Sequence, residues 1–111
     1  MITYTDFRLL LTNVSECPDF DSYAAEVGGS VPMDDGGDVI RTLSYIWEMG
    51  RVGLTIKSIA TACGISVRRI AIEFGLPIRT VENWASGTTT PPVWQLPLIA
   101  YATLSNTIGP M

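Results

Sequence analysis

Residues 60–70 read ATACGISVRRI and residues 71–81 read AIEFGLPIRTV, so one frame occurs twice in succession. Each copy has Ala, three residues, Gly, an apolar residue and, five positions further on, Ile or Val. Glycine directly after an apolar stripe of helical spacing is a helix stop, because it adopts the left-handed conformation that closes the last turn. Gly64, Gly75 and Gly87 therefore mark the ends of three short consecutive helices. Thr55 caps the first, which carries Ile56, Ile59, Ala60 and Cys63 on one face. Ser66 caps the second, with Val67, Ile70, Ala71 and Phe74 inward, and Pro77 opens the third, with Val81 and Trp84 inward. The two copies overlap, so only one can end in a helix free to read a target.

The flanks extend this helical pattern. Phe7, Leu10, Leu11 and Val14 predict a helix from Thr5 to about Glu16, capped by Thr5 or Asp6 and ended by Cys17-Pro18. Asp19 to Val27 predicts a second, ending at Gly28-Gly29. The stretch SVPMDDGGD (30–38) reads as a loop, after which Asp38 caps a helix to about Met49 with Val39, Leu43, Ile46 and Trp47 as its apolar stripe. TTTPP (88–92) is loop, and a last helix runs from Gln95 or Leu96 to Leu104. That helix is expected to bury Leu98, Ile99 and Tyr101 or Ala102, with Pro97 tolerated in its first turn. No period-2 stretch argues for a strand, so the class is all-α: one compact helical domain of 111 residues.

Charge divides the chain. Residues 1–50 hold two cations and nine anions, a balance of −7; residues 51–111 hold five cations and two anions, a balance of +3. Such polarity lets one half approach phosphate while the other is repelled. The apolar fraction, 47%, supports a real core. The apolar run Leu96–Ala102 is too short to span a membrane, and the first residues lack a signal-peptide pattern. Cys17 and Cys63 make no disulfide framework. A reduced, cytoplasmic protein is expected.

The second copy is the better reader. Arg79, Thr80 and Asn83 lie near the start of its last helix, opposite Val81 and Trp84, and a major-groove helix contacts bases from that end. Gly87 and the exit loop then stop it, whereas the first copy runs straight into another helix. From Val39 to Thr103, centred on GLPIRTVENWASG and Pro91-Pro92, the chain resembles the Cro/Xre-type helix-turn-helix family of phage repressors. It is similar above all to small bacterial and prophage members with G-I-P-x-R-T-V-x-x-W-x-x-G before Pro-Pro. The resemblance implies a lambda-repressor-like fold, with a supporting helix at about 66–74 and a recognition helix at about 77–86 inside a domain 38–111. Residues 1–37 would be an acidic N-terminal helical extension. It also implies that Gly75, Val81, Trp84 and Gly87 are structural and that Ile78, Arg79 and Asn83 read bases. Thr80 would face the DNA backbone, and Ser66 would cap a helix whose N-terminus meets a phosphate.

Two positions depart from the family. Val67 stands where Gln is usual, and Thr88–Thr90 replace a basic loop, so phosphate contact, the main source of non-specific affinity, is reduced. Arg68, Arg69 and Lys57 are the cations available to replace it. Arg68 and Arg69 are equally read as solvent-facing, Arg69 pairing with Glu73 four residues on. The hydroxyls of Thr88, Thr89 and Thr90 can donate to phosphates or belong to a plain loop. Ile78 is expected outward, where it meets a thymine methyl, and Ile72 outward as a protein contact. Trp94 either packs under the last helix or joins Tyr101 in a dimer face. Asp34 and Asp35 belong to a solvated loop or a protein contact; with Asp38 they lack the calcium-loop spacing, and no metal or cofactor is expected.

The chain has no His, which excludes His-based triads and His-ligated metals, and it has no phosphate-cradling Gly loop in a strand–helix setting. No enzyme is expected. Two functions remain. One is a sequence-specific transcriptional regulator of phage or mobile-element type, a repressor or autoregulator, bound as a homodimer to a palindromic operator in double-stranded DNA. The other is an anti-CRISPR-like inhibitor or antitoxin on the same fold, engaging a protein partner through residues 1–50.

Overall fold

The computed structural model describes residues 2–30 and 39–108. Over these residues the chain is all-α, with seven α-helices and no strand: α1 Tyr4–Val14, α2 Phe20–Val27, α3 Val39–Gly50, α4 Ile56–Cys63, α5 Val67–Phe74, α6 Ile78–Ser86 and α7 Gln95–Ile108. The loop expected beyond Ser30, with Asp34, Asp35 and the Asp38 cap, lies outside the described residues. None of the described helices is long and apolar enough to cross a membrane.

Helix boundaries follow their caps. Asp19, Thr55 and Ser66 each accept a hydrogen bond from the backbone N–H three residues on. Helix α1 begins earlier than expected. Thr3 rather than Thr5 or Asp6 caps it: the Thr3 hydroxyl accepts from the Asp6 N–H and donates to the Asp6 carboxylate. Helix α7 runs to Ile108, beyond Leu104. Its buried stripe is Ile99, Ala100, Thr103 and Leu104, so Leu98, one position before that stripe, is on the solvent side rather than in the core.

The buried side chains form one cluster. Phe7, Leu10, Val14, Tyr23 and Val27 from the acidic N-terminal part join Leu43, Ile46, Ile59, Ile70 and Leu104 in it. A side chain such as Phe7, fully removed from water, contributes about 1.5–3 kcal/mol. Tyr23 donates to the Leu10 carbonyl at 2.8 Å, which satisfies a hydroxyl that burial would otherwise leave unpaired. Burial also pushes the Tyr23 phenol pKa up. Tyr101 of α7 donates to the Ile2 carbonyl at 2.6 Å and meets the ring of Tyr4 edge-on. Helix α4 sits centrally, against α3, α5, α6 and α7. Trp47 is buried beside Phe20 and Tyr23, as its place in the α3 stripe requires.

Candidate nucleic-acid interface

The doubled frame is a repeated helix ending. The Ile65 N–H bonds the Ala60 carbonyl, that of Leu76 the Ala71 carbonyl, and that of Thr88 the Asn83 carbonyl. Gly64, Gly75 and Gly87 stand before them in the left-handed conformation, at φ 68°, 64° and 81°. This paired closure satisfies carbonyls that the helix itself cannot, and it turns the chain sharply. Helices α4, α5 and α6 are therefore joined by short turns of one type, and α6 is held by α5 and α4.

On α6 only Val81 is fully buried, with Trp84, Ala85 and Ile78 half-buried against the core. Ile78 is thus not the outward residue expected: helical geometry places it about 60° around the axis from Val81, on the packed side. The opposite side carries Arg79, exposed, and Asn83, half-exposed, one turn apart. Among the described residues neither side chain makes a hydrogen bond or ion pair. Ser86, two turns on from Arg79, lies on the same face, and its hydroxyl pairs with that of Thr88 at 2.8 Å. Glu82 flanks the row and is exposed. Ser86 and Glu82 were detectable from their spacing to Arg79. Thr80 is half-buried at the edge of this face. Pro77 leads into α6 without a side-chain cap, so no side chain bonds to the first-turn N–H groups.

The expected phosphate contacts separate into free and committed groups. Arg68 is exposed and has no partner among the described residues. Arg69 is committed: its Nε donates to Glu73 Oε1 at 2.8 Å, while the other Glu73 oxygen accepts from Asn106 Nδ2 at 2.9 Å. Glu73 thereby ties α5 to α7. The Ser66 hydroxyl accepts from the Arg69 N–H. The backbone N–H groups of Thr88 and Thr89 go to the Asn83 carbonyl, and the exposed Thr89 and Thr90 hydroxyls have no partner among the described residues. Thr89, Thr90 and Pro91 border a cleft of about 240 Å³ with Trp84, Leu54 and Leu96. Lys57 lines a different groove, beside the Glu48–Arg51 ion pair.

Ile72 is exposed, as read from its spacing. Trp94 is 64% exposed and does not pack under α7. Nor does Tyr101 share its surface, because that ring is turned inward onto Tyr4 and Phe7. Neither thiol is activated: burial raises the pKa of Cys63, and partial burial with the Glu26 carboxylate at 3.3 Å raises that of Cys17. Among the described residues no group of three or more acidic or Cys side chains is placed to hold a metal ion. No family model, curated protein or solved structure matches this chain.

Proposed function

We propose that this chain is a cytoplasmic, sequence-specific DNA-binding regulator of the Cro/Xre helix-turn-helix type, with α6 as the reading helix and α5 as its support. The observation that carries the reading is the outer face of α6. It presents an arginine and an amide, neither committed to a partner among the described residues, on a helix whose other side is held by the core. Arg79 fits guanine O6 and N7, and Asn83 fits adenine N6 and N7, each pair worth about 1–3 kcal/mol of discrimination. Arg68 and the Thr89 and Thr90 hydroxyls supply phosphate contacts, and the acidic first half keeps the remainder of the surface off the duplex. Bound as a homodimer to a palindromic operator, the protein represses its own or a neighbouring promoter.

With Arg68 and Arg79 as the free cations on this side, each subunit neutralises about one or two phosphates, giving a log–log salt slope of about −1 to −2 per subunit. Selection from a random duplex library followed by gel shift at several salt concentrations tests this. The expected result is an enriched two-fold symmetric site with G and A in each half. Absence of any retarded duplex at low salt sinks the reading.

One observation favours the second function, inhibition of a protein partner. Glu16, Asp19, Asp21 and Glu26 are exposed around the α1–α2 connection and form no ion pair among the described residues. An acidic surface of this kind suits a basic protein, and a pulldown with the first half's anions replaced by amides separates the two functions.

A further inference from the structure

We propose that Glu82 is a further base-reading residue on α6 and that it selects cytosine, a role that rests on the DNA-binding reading above. Glu82 is exposed and makes no hydrogen bond or ion pair among the described residues. At about 100° per residue, Arg79, Glu82, Asn83 and Ser86 occupy about 100° of the α6 surface, on the side away from Val81. Of their neighbours, Ile78 packs on the core, and the Ser86 hydroxyl is taken by Thr88. Arg79, Glu82 and Asn83 remain as the uncommitted polar side chains of this face, and Glu82 is the anion among them.

The freedom of Glu82 has a local cause. Arg79 and Glu82 are three residues apart, the spacing at which Glu48 and Arg51 pair at 3.6 Å, yet no ion pair joins them. Their order is reversed, and an acid on the C-terminal side of its base is the weaker arrangement on a helix. The carboxylate therefore stays available, in a place where a DNA-binding surface gains nothing from an idle anion. It offsets Arg79, the one cation of α6, and the phosphates repel it. In the major groove it becomes favourable only against a hydrogen-bond donor.

The donors of that groove narrow the choice. Guanine presents only acceptors there, and thymine an acceptor and a methyl group. Adenine presents its N6 amino group beside the N7 acceptor, which repels a carboxylate. Cytosine presents its N4 amino group alone, so the Glu82 carboxylate accepts from cytosine N4–H. The rise from Arg79 to Glu82 along the helix is about 4.5 Å, against about 3.4 Å for one base-pair step. The cytosine therefore stands one or two base pairs from the guanine that Arg79 reads.

Glu82→Gln is the test, because an amide both donates and accepts and so fits adenine N6 and N7. The unaltered chain and the variant each select from a random duplex library, and duplexes that differ at one position are then compared by competition anisotropy. Arg79→Ala locates the guanine position. The expected result is cytosine beside that guanine for the unaltered chain. In the variant the preference for cytosine over adenine falls at least about tenfold, with the guanine preference and the circular dichroism spectrum unchanged. Identical preferences of the two proteins, no cytosine near the guanine, or one change in affinity shared by all duplexes overturns the role of Glu82. In each of these cases an Arg79-dependent site leaves the DNA-binding reading standing. Failure of the unaltered chain to bind any duplex at low salt overturns both.

Discussion

Replacing Gly75 by Ala separates backbone conformation from packing at the turn before α6. A Cβ built at Gly75 meets nothing within 4 Å, so the substitution creates no clash. What it does meet is φ at +64°, where an L side chain costs about 1–2 kcal/mol. Losing glycine also makes the unfolded chain less free, which returns about 0.4–1 kcal/mol. The net loss is about 1 kcal/mol, or about 4 °C in Tm for a chain of this size. Gly64 and Gly87 have the same closure and the same open surroundings, so Ala at either costs about as much. The rank order at Gly75 should be Gly, then Asn, which tolerates this conformation, then Ala, then β-branched Val. Urea unfolding followed by circular dichroism measures all of these. A loss above about 3 kcal/mol at Gly75, or Val tolerated as well as Asn, would refute the argument that backbone conformation alone sets these positions.

Three further outcomes follow from contacts already described. A double-mutant cycle of Glu73→Ala and Asn106→Ala should give a coupling of about 0.5–1 kcal/mol, since the pair is partly exposed and links α5 to α7. At pH 8, iodoacetamide should alkylate Cys17 more slowly than an unstructured thiol and Cys63 more slowly still, and Glu26→Gln should speed the Cys17 reaction by removing the carboxylate beside it. The Asp19 carboxyl is held below its ordinary value of 3.8 by the N–H and hydroxyl of Ser22. Its contribution is therefore present above that value and is lost as pH falls through the lowered one. Thermal melts between pH 6 and pH 2 should show an acid-dependent decline that Asp19→Asn, an uncharged cap, reduces.

The sequence made the helices legible wherever a cap and a glycine bracketed an apolar stripe. Thr55, Ser66, Gly64 and Gly75 each do what their positions imply. Helix α7 was less legible because it is apolar on almost every side and has no charged residue to mark its wet face. Leu98 was thus placed inside, and the inward turn of Tyr101 depends on Ile2 and Tyr4, nearly a hundred positions away in the chain. On α6 the outward position of Arg79 was readable from its spacing to Val81, and the packing of Ile78 follows from the same helical geometry. Glu73 bridging Arg69 to Asn106 combines a local spacing that can be read with a long-range contact that cannot.

Base reading by the outer face of α6 is measured by a fluorescence-anisotropy titration of the best selected duplex with the unaltered chain, Arg79→Ala and Arg8→Ala. Base reading by α6 predicts a loss of about ten- to a hundredfold for Arg79→Ala, with relaxed preference at one G·C pair, and no comparable loss for Arg8→Ala on α1. Equal affinities for all three proteins, or no binding by the unaltered chain at low salt, would contradict it.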